Sequence, residues 1–247
     1  MIDQYLDIDT GEGEMPAFVT HPEGGGRYPV IVFLMDAPGM REELRDMCRR
    51  LGTTGYYVIA PQLYYREVRA YNLFETDDRD RMRELMATLT NPMVDRDVGA
   101  CLRVAEADPA ADLTRVGTVG YCMSGPFALT AAAAFPDTVR AAASIHGVKL
   151  VTEDDDSPHR LLPAMKAEIY VGCAEQDHWA PPALVAELEA ALMASGTRGQ
   201  VEWYPGTEHG FAFAERPAYD KASSERHWER LHALFARTIG PDRGSAG

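Results

Sequence analysis

An α/β fold, with a mostly parallel central sheet flanked by helices on both faces, is predicted by three features of this 247-residue sequence. Short apolar runs recur along the chain, most of them continuous rather than alternating, as strands covered on both faces require. Between them lie segments whose apolar residues repeat with the helical period. Near the middle, Val116 to Pro126 (VGTVGYCMSGP) reads as a buried strand that turns abruptly into a helix, with a cysteine at the bend.

The elements follow in order. Tyr28 to Met35 is the first strand, followed by a helix with Leu44, Met47, Cys48 and Leu51 on one face and a strand over Tyr56 to Ile59. Pro61 to Val94 is the least regular stretch, rich in Tyr and Arg, with one helix over Asp78 to Leu89, and is expected to overhang the site. Val116 to Gly120 is the central strand, and the alanines at 128 and 131–134 carry the helix after it. Strands follow at Ala141 to Ile145, Glu168 to Gly172 and Gln200 to Tyr204. The remaining helices present Leu184, Val185, Leu188 and Leu192, then Trp228, Leu231, Leu234 and Phe235. These stripes read as core. No repeat or composition break divides the chain, so residues 1–240 are read as one domain and 241–247, rich in Gly, Ser and Pro, as a flexible tail.

The formal charge of −14 repels nucleic acid and anionic membranes at long range, which leaves a small molecule as the expected partner of a monomer or homodimer. No stretch approaches the ~18 to 20 uninterrupted apolar residues of a membrane span. Cys48, Cys101, Cys122 and Cys173 stand far apart without paired spacing, and Met1 to Tyr5 has neither the basic nor the apolar region of a secretion signal. Both features point to a reducing, cytoplasmic setting. Glu153 to Asp156, four adjacent acids before Ser157-Pro158, reads as a solvated turn rather than a cation site. Without an HExxH motif or paired-cysteine spacing, neither a metal nor a cofactor is expected.

Cys122 occupies the tip of the strand-to-helix turn. Gly120 two residues before it, and the small Ser124 and Gly125 after it, let the backbone turn sharply. The following helix aims its N-terminal dipole at the sulfur and favours thiolate. The alternative is a buried structural cysteine. A nucleophile needs a base, and the base an orienting acid. Gly172 to His178 leaves one strand and offers Asp177, while Gly206 to Phe211 leaves the next and offers His209. Singly, an Asp after a strand is as readily a cap, and a loop His a satisfied side chain. The order nucleophile, acid, histidine, each at a strand end, is that of the α/β-hydrolase fold, in which the three meet at the carboxyl edge of the sheet. Taking Ser124 as the nucleophile instead would set Cys122 and Pro126 where the motif needs glycine.

With these residues the chain resembles the dienelactone hydrolase family, the cysteine-nucleophile branch of the α/β hydrolases, over Tyr28 to Phe235. The resemblance rests on Gly120-Tyr121-Cys122, on the segment ending Asp177-His178-Trp179-Ala180-Pro181, and on Gly206-x-x-His209-Gly210-Phe211. It implies opening of an enol lactone of the carboxymethylene butenolide type in aromatic catabolism, or general esterase activity. A noncatalytic small-molecule binder on the same fold is the remaining alternative. It also implies that an acidic residue after the first strand, here Asp36, meets the resting thiol, and that the N–H of Ala37, with that of Met123, holds the oxyanion. Two positions depart from the pattern. Asp36 stands where the family has Glu, one methylene longer by roughly 1.5 Å, and Ser124-Gly125 replaces two glycines. The family holds a substrate carboxylate with an arginine four residues after the histidine, which is Phe213 here, and with one from the helix before the central strand, where Arg79, Arg81 and Arg83 are available. Of these Arg81 is taken as the binding candidate. Around the mouth we expect Tyr64, Tyr65, Tyr71, Phe74, His146, Trp179 and Phe211, an aromatic set suited to an apolar or aryl ester, unless some of them pack in the core.

Overall fold

The computed structural model describes residues 1–240, so the expected tail, 241–247, lies outside the described residues. Continuous apolar runs build the centre of the sheet. Its strands are β1 (Ile2–Asp9), β2 (Glu14–His21), β3 (Tyr28–Leu34), β4 (Tyr57–Pro61), β5 (Ala111–Tyr121), β6 (Val139–Ile145), β7 (Glu168–Gln176) and β8 (Gly199–Glu208). They lie in the order β1-β2-β4-β3-β5-β6-β7-β8. The pairs β1·β2 and β2·β4 are antiparallel and all others parallel. The helices are α1 (Glu42–Gly52), α2 (Leu73–Thr76), α3 (Arg79–Thr88), α4 (Asn91–Ala107), α5 (Gly125–Ala134), α6 (Pro158–Leu161), α7 (Pro182–Ser195) and α8 (Lys221–Thr238). This is the α/β-hydrolase fold. Among the described residues no helix is long and apolar enough to cross a membrane.

All six strands read from apolar runs are present, most of them longer than expected; β5 begins at Ala111 rather than Val116. The sequence reading missed β1 and β2. In β1 (IDQYLDID) exposed and partly covered residues alternate along an edge strand, so the segment never forms the continuous run that identifies a strand covered on both faces. The helix expected over Asp78 to Leu89 is α3, and Asp78 caps it by accepting the Arg81 N–H at 2.9 Å.

The core runs through both faces of the sheet, from Val30 to Met35, across Val58 to Ala60, and on to Ile169 to Val171. Helix α1 buries Leu44, Met47, Cys48 and Leu51, and α8 buries Trp228, Leu231, Leu234 and Phe235. In α7 the expected stripe loses Leu184, which is exposed, and keeps Val185, Leu188 and Leu192. Burial of each such side chain contributes roughly 1.5–3 kcal/mol. Helix α5 differs from these: every residue from Gly125 to Ala132 is buried, because its small side chains let it press against the sheet on one side and α4 on the other. A helix apolar all round belongs inside. Its position fixes the N-terminal turn at the carboxyl end of β5, on the edge where the parallel strands β3, β6, β7 and β8 also end.

Candidate active site

At the end of β5 the chain passes through Cys122 with φ = 54°, in the left-handed region that a non-glycine residue keeps only when its surroundings hold it. Four contacts hold it. A Cβ on Gly120 would run into the Ser124 carbonyl, and one on Gly125 would meet Gly147 Cα at 2.5 Å, so both positions need glycine for close approach. The Cys122 carbonyl accepts the Val148 N–H at 3.1 Å, and the Ser124 hydroxyl donates to the Met35 carbonyl at the end of β3. Ser124 is fully buried and its side chain makes no capping hydrogen bond to α5. It ties two strand ends together, with its hydroxyl proton engaged by a main-chain carbonyl.

Cys122 is 8% exposed, whereas Cys48, Cys101 and Cys173 are buried away from solvent. Burial pushes the Cys173 thiol up to about 12 and those of Cys48 and Cys101 further, so these three stay protonated. The loops after β7 and β8 bring two groups to the sulfur. His209 Nε2 lies 3.0 Å from Cys122 Sγ, and His209 Nδ1 lies 2.6 Å from Asp177 Oδ2. The other carboxylate oxygen of Asp177 accepts the Trp179 N–H at 2.9 Å, which fixes its plane. Burial alone would lower the His209 imidazole. The hydrogen bonds to Asp177 and Cys122 and their charge outweigh it and raise the group from 6.5 to about 10. Because the folded value is the higher, the proton adds stability below pH 6.5 that is lost as pH climbs toward 10.

Asp36 departs from the role the resemblance implied. Its fully buried carboxylate meets Arg41 at 2.6 Å and Arg216 at 2.8 Å, and the sulfur's partner is His209. Arg41 was not singled out from sequence. A turn in which Gly39 N–H donates to the Asp36 carbonyl at 3.1 Å swings it back over Asp36, and the Pro-Gly of D-A-P-G-M-R is the signal that would have found it. Since Arg41 is 3% exposed, Asp36→Ala leaves a buried guanidinium without this partner. We expect a loss of about 3–5 kcal/mol, or roughly 6–20 °C in Tm by calorimetry. A shift under about 2 °C would show the carboxylate to be dispensable to the fold.

Ala37 and Met123 lie on either side of the elbow, both nearly buried. Among the described residues the Ala37 N–H has no acceptor, and Met123 precedes the first intrahelical donor, the Gly125 N–H that bonds the Cys122 carbonyl. Tyr64, expected at the mouth, is fully buried behind them. Its hydroxyl donates to the Ala37 carbonyl at 2.9 Å and lies 3.2 Å from Met123 Sδ, bracing both segments. Tyr71 packs edge-on against Tyr64 at 5.9 Å and donates to the Asp78 carbonyl.

Several other expected contacts lie elsewhere. The Tyr65 hydroxyl is spent on Thr10 and Asp97, where it ties the β1–β2 hairpin to α4. Arg81 pairs with Glu84 and Arg83 with Asp80 on the exposed face of α3. Phe211 and Phe213 are core side chains. Phe211 stacks on Tyr204 at 4.7 Å, and Phe213 packs on Tyr121 at 5.3 Å with the Arg41 and Arg216 guanidinium groups over its ring. His146 is buried and packs on His209. Phe74, exposed, lies against both guanidinium groups. Trp179 is 56% exposed and lines an open-sided apolar notch of about 250 Å³, its solvent side included, with Leu150, Val151, Leu184, Val185 and Leu188. A larger cleft of about 770 Å³, its solvent side likewise included, lies between β8 and α8, where Arg230 and Arg237 pair with Glu202 and Glu168.

The profile of the dienelactone hydrolase family matches residues 15–239. A Salmonella typhi protein provisionally named carboxymethylenebutenolidase is 30% identical over 92% of this chain and 84% of its own. A protein of the same provisional name from Methylorubrum extorquens is 28% identical over 93% of this chain and 79% of its own. A crystal structure from Klebsiella pneumoniae, provisionally described as a dienelactone hydrolase, superposes with a TM-score of 0.87 at 26% identity, covering 96% of this chain and 98% of that one. A dienelactone hydrolase-like promiscuous phosphotriesterase from metagenomic libraries shares the fold, with a TM-score of 0.82 at 19% identity over 97% of this chain and 99% of that one.

Proposed function

The chain belongs to the dienelactone hydrolase family and is a hydrolase, and from this premise we propose that it cleaves a carboxylic ester or lactone through a thioester on Cys122. The observation that carries the proposal is the unbroken line of hydrogen bonds from Asp177 through His209 to the sulfur, 2.6 and 3.0 Å long. In this reading His209 takes the thiol proton of Cys122 on Nε2 as the sulfur attacks the carbonyl carbon, and the displaced electron pair moves to the carbonyl oxygen, held by the N–H groups of Ala37 and Met123. Collapse of this intermediate expels the alkoxide, which takes the Nε2 proton of His209 and leaves a thioester. Water then attacks the thioester as His209 accepts its proton, and collapse releases the carboxylic acid and the sulfur, which takes back the Nε2 proton. Asp177 keeps the Nδ1 proton in place throughout.

Four free thiols suit a reducing, cytoplasmic setting. The reading is tested by screening lactones and aryl esters with the purified protein; turnover of neither class would contradict it.

The charge of the preferred substrate follows from the fate of the arginines. Arg41 and Arg216 are engaged by Asp36, Arg81 and Arg83 by acids of their own helix, and Phe213 stands at the family's arginine position. A lactone with a free carboxylate is therefore expected to show a kcat/KM close to that of its methyl ester. An intact clamp worth ~1.5–3 kcal/mol would favour the acid by roughly 10-fold to 150-fold. A measured preference of about 50-fold or more for the acid would contradict the prediction.

A further inference from the structure

His146 is a buried titratable side chain beside the site that the proposed cycle leaves without a task. It follows β6 with φ = 38°, a left-handed conformation held by its own N–H donating to the Gly172 carbonyl at 2.7 Å. Its ring touches Phe211 at 5.5 Å, Phe213 at 5.4 Å and Tyr121 at 6.0 Å, and meets His209 edge-to-face at 4.9 Å. Both ring nitrogens are buried, and among the described residues neither has a hydrogen-bond partner. Burial, then the neighbouring charge of His209, Arg216 and His227, holds the ring neutral.

The geometry of His209 shows what such a ring can do. Its side chain turns about two torsions, χ1 and χ2, and the hydrogen bonds to Asp177 and Cys122 at the two ring nitrogens restrain both. In the resting protein both bonds help to hold the side chain. Once the sulfur is acylated it has no proton to share and the bond to Nε2 is lost, so Asp177 and the packing surface alone must keep Nε2 aimed at the incoming water. Resting on the reading under Proposed function, we propose that His146 is a positioning residue for deacylation, the surface that holds the His209 ring plane while the sulfur is acylated. Phe211, Phe213 and Tyr121 in turn hold His146, and its strained backbone aims it.

The test is a pre-steady-state and steady-state comparison on 4-nitrophenyl acetate of the wild type with His146→Ala, His146→Leu and His146→Phe, with Tm measured for each. An aromatic contact of this kind is worth about tenfold in rate. For His146→Ala and His146→Leu we expect kcat to fall about tenfold or more while kcat/KM, which reports acylation, stays within about threefold, so that acetylated Cys122 accumulates. His146→Phe, which restores a flat ring, should recover kcat to within about threefold. The Leu variant fills the site without presenting a ring, and so carries the test if the Ala variant does not fold. The inference is overturned if Leu and Phe give equal kcat, or if kcat/KM falls at unchanged kcat, which would make His146 a substrate contact. A wild type that never acetylates Cys122 would overturn the proposed function, and this inference with it.

Discussion

Cys122→Ala is expected to lower kcat/KM for any ester the protein hydrolyses by about four orders of magnitude or more while leaving Tm within a few degrees. The loss is large because in the proposed cycle the sulfur forms the bond to the acyl group, and the remaining groups cannot replace an attacking atom. The fold should tolerate the change because the side chain sits at a strand tip and is partly open to solvent, so its removal leaves no closed cavity. The contrast with Ser124→Ala is informative. That variant loses the hydroxyl that bonds the Met35 carbonyl and should lower stability by about 1 kcal/mol, yet keep the nucleophile. Activity of Cys122→Ala within tenfold of wild type, with Ser124→Ala inactive, would reverse the assignment. Rates and melting temperatures of the two variants decide the matter.

His209→Ala and Asp177→Asn are each expected to lower kcat by about two to four orders of magnitude. The first removes the imidazole that lies within hydrogen-bond reach of the sulfur and, in the proposed cycle, carries the proton to the leaving oxygen. The second keeps an oxygen for the Trp179 N–H but turns an amide N–H toward Nδ1, which places the imidazole proton on the wrong nitrogen. Asp36→Ala should cost less in kcat than either, since its contacts run to Arg41 and Arg216 rather than to the sulfur. With His209 raised to about 10, kcat/KM of the wild type should hold through neutral pH and fall as pH passes that value, where the proton that the His209–Cys122 pair passes to the leaving group is lost. A loss in Asp36→Ala as deep as in His209→Ala, at matched folded fraction, would show that a carboxylate treated as structural takes part in the chemistry.

What could be read from the sequence divides along a physical line. The inner parallel strands β3 to β7 were legible because they are covered on both faces and so are written as continuous apolar runs, whereas the edge strand β8 carries a shorter apolar signal. The edge strand β1 alternates, and was missed. The three groups Cys122, Asp177 and His209 were legible because the fold sets them at strand ends in a fixed order, with local glycines that record the sharp turns. Side chains that reach across the molecule leave no such record. Nothing near Phe213 indicates that it is a buried platform for two guanidinium groups, and nothing near Tyr65 indicates that its hydroxyl turns to Thr10 and Asp97. An aromatic residue close in sequence to a catalytic loop is as readily a pillar behind the site as a wall of it. Tyr64, behind Ala37 and Met123, is the former. His146, expected to touch substrate, is buried against His209 instead.

The central claim, a thioester on Cys122, is tested most directly by mixing the protein with 4-nitrophenyl acetate, following nitrophenolate release, and digesting acid-quenched samples for mass spectrometry. The account predicts a burst approaching one equivalent per active site, with a single acetyl group on the peptide that contains Cys122 and none on those of Cys48, Cys101 or Cys173, whose buried thiols remain protonated. Cys122→Ala should show neither burst nor label. Steady turnover with no acetyl at Cys122, or an acetyl group carried by Ser124, would contradict it.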